Sequence, residues 1–341
     1  MKKVLITGGL GFIGSHFAKR LVQDGYEVQV FDSGERRGAQ LNRTELEVEY
    51  GVSTVTGRLQ NQAGVRQCLD SFQPDFVAHL GAQVAVTTSV EDPVADFESN
   101  ALGTLNLLEA IRLSGSKVRT LYSSTNKVYG DLRGLQIAET ETRYVLESPV
   151  GERQPLDFHS PYGCSKGAAD QYVLDYGRTF GLDNYVLRQS CIYGTRQFGI
   201  EDQGWVSWFV IAAILGKPVT IYGSGKQIRD LLWVDDLIDA YCLVLFGDFG
   251  NERAFNIGGG VHNSLSIIEL INYLRENASL SLEHRFSLPR DGDQRAFISD
   301  NQLFSEITGW SPKTSVEDGL AKMLEWVRVN KERIGAVLDG A

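Results

Sequence analysis

Tyr162 and Lys166 stand four residues apart in Ser160-Pro161-Tyr162-Gly163-Cys164-Ser165-Lys166. Ser160 can cap and Pro161 can start a helix over this run, which puts both side chains on one helical face. An ammonium close to a phenol, helped by a positively charged cofactor ring, draws the phenol pKa from roughly 10 towards neutrality, which makes Tyr162 a candidate general base. Tyrosine and lysine are also ordinary neighbours on helices, so the pair alone decides little. A second polar cluster, Tyr122-Ser123-Ser124-Thr125-Asn126-Lys127-Val128-Tyr129-Gly130, follows a predicted strand. Ligands sit at the carboxyl ends of strands in open α/β sheets, although hydroxyls there serve equally to cap the next turn.

A third feature is rich in glycine. Thr7-Gly8-Gly9-Leu10-Gly11-Phe12-Ile13-Gly14 lies between the apolar run Lys3–Thr7 and an apolar-periodic helix. Glycines at 8, 11 and 14 permit a tight turn, close backbone approach to a pyrophosphate and close helix-on-strand packing, while the helix N-terminus offers unpaired N–H groups. A bare strand-to-helix turn reads the same way, and position decides between them. The second predicted strand ends at Phe31-Asp32, roughly 20 residues on, where a carboxylate can accept hydrogen bonds from both ribose hydroxyls of NAD and repel the extra phosphate of NADP. Arg36 and Arg37 would welcome that phosphate, but Asp32 holds the strand terminus, so NAD is expected. In this order, the glycine turn, Asp32, Thr125 and the Tyr162/Lys166 pair point to hydride chemistry on a carbinol.

The elements that must position these residues are legible in outline. Apolar runs at 3–7, 27–31, 53–56, 75–80, 118–123 and 184–188 alternate with amphipathic stretches, which predicts a Rossmann-type, doubly wound parallel sheet of the α/β class. After Arg188, strand-like pieces at 219–222, 231–234 and 254–257 mix with helices starting at Asp235, Ser266 and Ser315. This predicts an NAD-binding domain over 1–188 and, over 189–341, a smaller mixed α/β lobe that mainly binds substrate. Gly223-Ser224-Gly225-Lys226 lacks the spacing of a nucleotide-triphosphate loop and reads as a turn before the strand carrying Arg229.

The acidic balance, 33 Lys+Arg against 43 Asp+Glu, disfavours nucleic-acid and lipid partners. Four scattered cysteines and five histidines show no metal-ligand spacing, so no metal is expected. The longest apolar stretch, 209–215, is far below the ~20 residues that span a bilayer, and a cytoplasmic protein with reduced thiols is expected.

From Lys2 to about Trp326 the sequence resembles the extended short-chain dehydrogenases that act on nucleotide sugars. Within that group, Ser123 to Asp131, Glu139-Thr140-Glu141-Thr142-Arg143-Tyr144, Leu156 to Asp170 and Asp202-Gln203-Gly204-Trp205 are similar to the CDP-tyvelose (CDP-paratose) 2-epimerases. The resemblance implies Thr125 as the active-site hydroxyl, Tyr162 as base and Lys166 as the lysine on the nicotinamide ribose. It carries cofactor roles to Gly8, Gly11, Phe12, Ile13, Gly14, Asp32, Arg58, Leu59, Leu80, Ala82, Gln83, Asn100 and Ser123. Substrate roles fall on Val84, Thr125, Asn126, Cys191, Arg196, Gln203, Arg229 and Arg295, and guanidinium groups suit a diphosphate. Arg58 departs from the usual Gly-Asp after the third strand, and Cys191 from an Asn. The family also implies a homo-oligomer, dimer or tetramer, built through helices of the first lobe.

The implied reaction inverts carbon 2 of a nucleotide sugar, a CDP-hexose, through a transient 2-keto sugar, with NAD tightly bound and regenerated each cycle. A 4-epimerase is the nearest alternative. A 4,6-dehydratase places Asp-Glu after the active-site Thr, where this chain has Asn126-Lys127. A catalytically silent NAD-binding protein would have little need of Thr125, Tyr162 and Lys166 together.

Overall fold

Strand β1 (Lys3–Thr7) buries every residue after Lys3, as a parallel strand covered on both faces must. The chain then turns through Gly8, whose φ of +71° and whose absent Cβ, 2.6 Å from Gly81 N were it present, both require glycine. Helix α1 (Phe12–Gln23) leaves the turn so close to it that a Cβ on Gly14 would lie 2.4 Å from the Gly8 carbonyl. The computed structural model describes residues 1–132, 134–250, 253–290 and 292–339.

From α1 the chain alternates β2 (Glu27–Asp32), α2 (Ala39–Tyr50), β3 (Ser53–Thr56), α3 (Gln62–Phe72) and β4 (Phe76–His79). Helices α4 (Val86–Glu91), α5 (Pro93–Phe97) and α6 (Gly103–Ser114) precede β5 (Arg119–Thr125), and α7 (Ser160–Phe180) precedes the strand Asp183–Gln189. The seven-stranded sheet runs Ala254–Ile257, Asp183–Gln189, β5, β4, β1, β2, β3, and the pairs from β3 to β5 are parallel. Strand order reverses between β1 and β4, the switch point at which a doubly wound sheet opens a crevice. Leu5, Phe31, Val65, Leu69, Phe72, Val77, Leu107 and Ile111 form one core cluster against this sheet, and Leu108, Tyr122, Val173, Tyr176 and Val186 another.

Two compact units result, 1–128 with 160–188 and 238–255, and 129–159 with 189–237 and 256–341. Against the single division expected at residue 188, the chain passes between the units at 128/129, 159/160, 188/189, 237/238 and 255/256. Ala254–Ile257, expected in the smaller lobe, instead pairs at the edge of the large sheet. Its apolar pattern suits either location, and only long-range pairing distinguishes them.

In the second unit, Ile228–Trp233 is central, pairing with Ser264–Ser266, Ala296–Phe297 and Cys191–Tyr193, while Val219–Tyr222 pairs with His284–Ser287. The expected strand at 231–234 therefore starts earlier, and Val234 already begins a helix. Buried Asp230 organises this unit, accepting hydrogen bonds from the Ser190 hydroxyl and the backbone N–H groups of Gly260 and Ser299. Ser266 caps the helix Ile267–Ala278 in a reciprocal box with Glu269, and Ser315 caps Val316–Val329. Among the described residues no helix is long and apolar enough to cross a membrane.

Gly14→Ala is expected to lower unfolding stability by about 1–3 kcal/mol, because its methyl group meets backbone that cannot yield. Gly335→Ala, in the helix Lys331–Asp339 with nothing within 4 Å of the added methyl, should instead raise it by about 0.5–1 kcal/mol. Urea titration of the two variants checks both signs.

Candidate active site

The end of β2 is tied to the glycine turn. Asp32 accepts hydrogen bonds from Leu10 N (3.0 Å) and Gly34 N (2.8 Å), and the Asn42 amide donates to the Leu10 carbonyl (2.7 Å). Two of the roughly four acceptor positions of the Asp32 carboxylate remain for ribose hydroxyls. Gly11 precedes α1 without a side-chain cap, and Phe12 and Ile13, half-buried, begin the helix whose first N–H groups suit a pyrophosphate. These residues fit a dinucleotide. Arg58 forms an ion pair with Glu35, both more than half exposed, an interaction worth little. Leu59 lies buried behind the turn, its carbonyl taking the Asn106 amide at 2.9 Å.

Beyond β4, Leu80, Ala82, Gln83 and Val84 occupy a half-buried irregular segment. Gln83 and Asn100 bond each other twice, Gln83 N to Asn100 Oδ1 (2.8 Å) and Asn100 Nδ2 to the Gln83 carbonyl (3.0 Å). Both amides also donate to Asp96, and the Asn100 amide donates to the Ser165 hydroxyl. Asn100 sits in a π-helical turn, Glu98–Leu102, between α5 and α6, a distortion common at functional sites. A second chain of bonds runs beneath. Thr104 donates to the Asn100 carbonyl (2.6 Å) and so accepts from His79 Nε2, which leaves His79 Nδ1 to accept from Thr7. Burial holds His79 neutral, its pKa pushed down to about 3, with the Lys166 charge adding to the effect.

At the end of β5, Thr125 is buried; its Oγ1 accepts from Lys127 N (3.3 Å) and approaches Asn126 Oδ1 at 3.4 Å. Helix α7 starts at Ser160, held at φ +62°, a conformation costly for a residue with a side chain, and the Ser160 hydroxyl accepts from Gly163 N. Tyr162, in the first turn of that helix, is buried and within the electrostatic reach of the Thr125 hydroxyl, which lowers its pKa. Lys166 donates to the Ser123 carbonyl at 2.6 Å and lies 4.2 Å from the centre of the Tyr122 ring. Thr125, Tyr162, Lys166, Ser123 and Asn100 are thus brought together within one unit.

The electrostatics differ from expectation. Burial pushes the Tyr162 phenol up to about 12 and Asp96 adds to this, while the Thr125 hydroxyl and the Arg36 charge pull it down. Lys166 is not among the groups that shift the phenol, and burial brings Lys166 itself down to about 7 against the pull of Asp170 and Asp96. Sequence reasoning missed Asp96, Tyr122, His79 and the buried pair Arg188–Asp170, in which Nε and Nη2 each lie 3.0 Å from a carboxylate oxygen. Asp170 also accepts from Ser124. The Asp170 to Arg188 spacing carries no helical or strand signal; Tyr122 stood in the polar cluster and Asp170 closed the stretch from Leu156, but nothing local marked the burial that gives them their roles.

In the second unit, Cys191 opens a half-buried strand beside Leu231, and Arg196 adopts a left-handed φ of +64°. Gln203 exchanges backbone bonds with Ile200. Arg229 is engaged by Asp293 and the Gln294 carbonyl, each at 2.7 Å, and exposed Arg295 lies over the Tyr144 ring.

A family model described as GDP-mannose 4,6 dehydratase matches residues 5–323. The chain belongs to this family. It is 46% identical over 334 residues to CDP-paratose 2-epimerase of Salmonella typhi, covering 95% of this chain and 98% of that one. It is 32% identical over 329 residues to UDP-glucose 4-epimerase of Mycolicibacterium smegmatis, with 96% and 98% covered. Among solved structures, the Thermus thermophilus UDP-glucose 4-epimerase complex with NAD superposes with a TM-score of 0.81 at 33% identity, over 96% of this chain and 99% of that one.

The His79 environment sets a pH dependence. An unfolded chain takes up a proton near pH 6.5 that the folded chain refuses until about 3, so stability present above 6.5 falls by about 1.4 kcal/mol per unit as pH drops below it. In His79→Gln, the slope of unfolding free energy between pH 6.5 and 4.5 is expected to flatten by about one proton in pH-dependent urea titrations.

Proposed function

We propose that the protein is an NAD-dependent nucleotide-sugar epimerase, an isomerase that inverts carbon 2 of a CDP-hexose in the manner of CDP-paratose to CDP-tyvelose. The observation that carries the reading is the meeting of Thr125, Tyr162 and Lys166 at the carboxyl end of β5, beside the glycine turn and Asp32 of the same unit. When bound, NAD supplies the redox chemistry, oxidising carbon 2 to a ketone and re-reducing the opposite face. Carbon 2 carries no acidic hydrogen, so inversion by deprotonation alone would be very slow.

The chain's own residues bind, orient and move a proton. Gly8, Gly11, Phe12, Ile13 and Gly14 present backbone to the pyrophosphate, Asp32 selects the unphosphorylated ribose, and Leu59, Leu80, Ala82, Gln83, Asn100 and Ser123 shape the rest of the cofactor site, with Arg58 at its exposed rim. Lys166 holds the second ribose through its ammonium. Tyr162 takes the sugar hydroxyl proton at its phenol oxygen, with the Thr125 hydroxyl stabilising the phenolate. A phenol raised this far by burial needs such donors and nearby positive charge, and Arg36 already acts in that direction. Val84, Asn126, Cys191, Arg196, Gln203, Arg229 and Arg295 are assigned to the nucleotide sugar, the guanidiniums to its diphosphate. Arg229 would exchange its bond to Asp293 for that phosphate.

A cytoplasmic location, a place in lipopolysaccharide biosynthesis and self-association belong to the same reading. Exposed Phe97, Leu113, Tyr172 and Phe180 on α5, α6 and α7 support association through those helices.

Proton NMR with CDP-paratose, and in parallel CDP-glucose, in heavy water without added cofactor tests the reading. Inversion at carbon 2 without deuterium uptake is expected. Deuterium at that carbon, inversion at carbon 4 or a 4-keto-6-deoxy product would overturn it. Tyr162→Phe is expected to lower kcat by about 10²–10⁴-fold while the amount of co-purifying NAD stays unchanged.

A further inference from the structure

Lys166 is only 3% exposed, yet the proposed function needs it charged. Its surroundings are unusual for an ammonium. It donates a hydrogen bond to the Ser123 carbonyl at 2.6 Å, and the Tyr122 ring face lies 4.2 Å away. Tyr122 and Ser123 are successive residues of β5, so one side chain and the next carbonyl reach the same cation from a single strand. We propose that Tyr122 is a positioning residue for Lys166, its ring face standing in for water and keeping the ammonium charged and fixed. The ring quadrupole attracts a cation within about 6 Å, and most strongly where both are out of water.

The geometry is built rather than incidental. Tyr122 is 1% exposed and packs against Val173, Tyr176 and Val186 in a core cluster, so the ring cannot swing away. Its hydroxyl faces Thr104 outside full hydrogen-bond geometry, so the ring face rather than the hydroxyl is the functional part. The charged and titratable groups that face Lys166 are Asp170 on its own helix, Asp96 on α5 and His79 on β4. Asp170 is already committed to Arg188 and Ser124, and Asp96 to Ser165, Gln83 and Asn100. His79 is neutral. Neither carboxylate is therefore dedicated to Lys166, and burial has already brought its pKa down to about 7. A ring face adds attraction without adding another buried charge that would itself need a partner.

The inference rests on the reading of Lys166 as the cofactor-binding lysine, but its test does not depend on turnover. Lysine labelled with ¹³C at Cε would be titrated by NMR in the full chain, with the Lys166 resonance identified by its loss in Lys166→Met. Wild type and Tyr122→Phe are expected to titrate together, and Tyr122→Leu about one unit lower. Should the leucine variant not fold, mono-, di- and pentafluorinated phenylalanines at position 122 keep the shape while weakening the quadrupole. They should lower the Lys166 titration stepwise. A Lys166 titration that stays with wild type in the leucine variant or across the fluorinated series would overturn the proposal. Absence of sugar turnover would leave this titration as it is and count against the proposed function alone.

Discussion

Taking the Lys166 ammonium out of water is the constraint on which the first unit depends. An isolated buried ammonium would lose its proton, so the fold must surround it with acceptors that are themselves held in place. The Ser123 carbonyl on β5 is the acceptor, and the charges of Asp170, one turn along α7, and Asp96 on α5 support the ammonium without a direct bond. Each carboxylate carries an obligation of its own. Asp170 has no exposure and is met by Arg188 and Ser124, which fastens α7 to β5 and to the strand Asp183–Gln189. Asp96 is met by Gln83, Asn100 and Ser165, which fastens α5 and the π-helical turn to α7. The site is rigid because no member can move without leaving another charge unpaired.

The same logic links the site to the sheet. The Thr7, His79 and Thr104 chain joins β1 to β4 and to the first turn of α6, across the point where strand order reverses. Gly81 N donates into this chain through Thr7 Oγ1 at 3.2 Å, and Gly81 is also the backbone that Gly8 approaches too closely to carry a side chain. A neutral histidine suits this place because it can donate from one nitrogen and accept at the other. The glycine turn, the switch point and the asparagine of the π-helical turn are thereby one hydrogen-bonded unit.

Local chemistry was legible in the sequence, and long-range chemistry was not. The glycine turn, the Asp32 strand end, the Ser160 and Ser315 helix starts and the Tyr162/Lys166 face all follow from spacings of a few residues, which helix and turn geometry fix. The strand boundaries moved by one to three residues, as at 75–80, where only Phe76–His79 is regular, and at 231–234, where the strand starts at Ile228. What escaped was decided by burial or by pairing at a distance. Ala254–Ile257 reads as a strand from its composition, but its place beside Asp183–Gln189 depends on where α7 and the helix Val234–Phe246 return the chain. The phenol of Tyr162 looked activated because its spacing from Lys166 was visible while the depth of both was not. Burial then raised one group and lowered the other.

That opposition bears on how one scaffold separates inversion from elimination. Burial moves the phenol up and the ammonium down, so both resist charging, and the proton transfer that oxidation of a carbinol and its reversal require must draw on the groups that lower the phenol, the Thr125 hydroxyl and the Arg36 charge. Elimination of water requires in addition an acid beside the leaving hydroxyl. At that place this chain has Asn126, buried with its amide oxygen towards the Thr125 hydroxyl, and then Lys127, whose backbone N–H also serves Thr125. A carboxylate at 126 would have to be buried next to Thr125 and the buried phenol, where ionisation would raise Tyr162 further and oppose its role as base. An amide at 126 brings no such charge. With Asn126 and Lys127 in place of an acidic pair, the site lacks at those positions the general acid that losing water would need, within an unchanged fold.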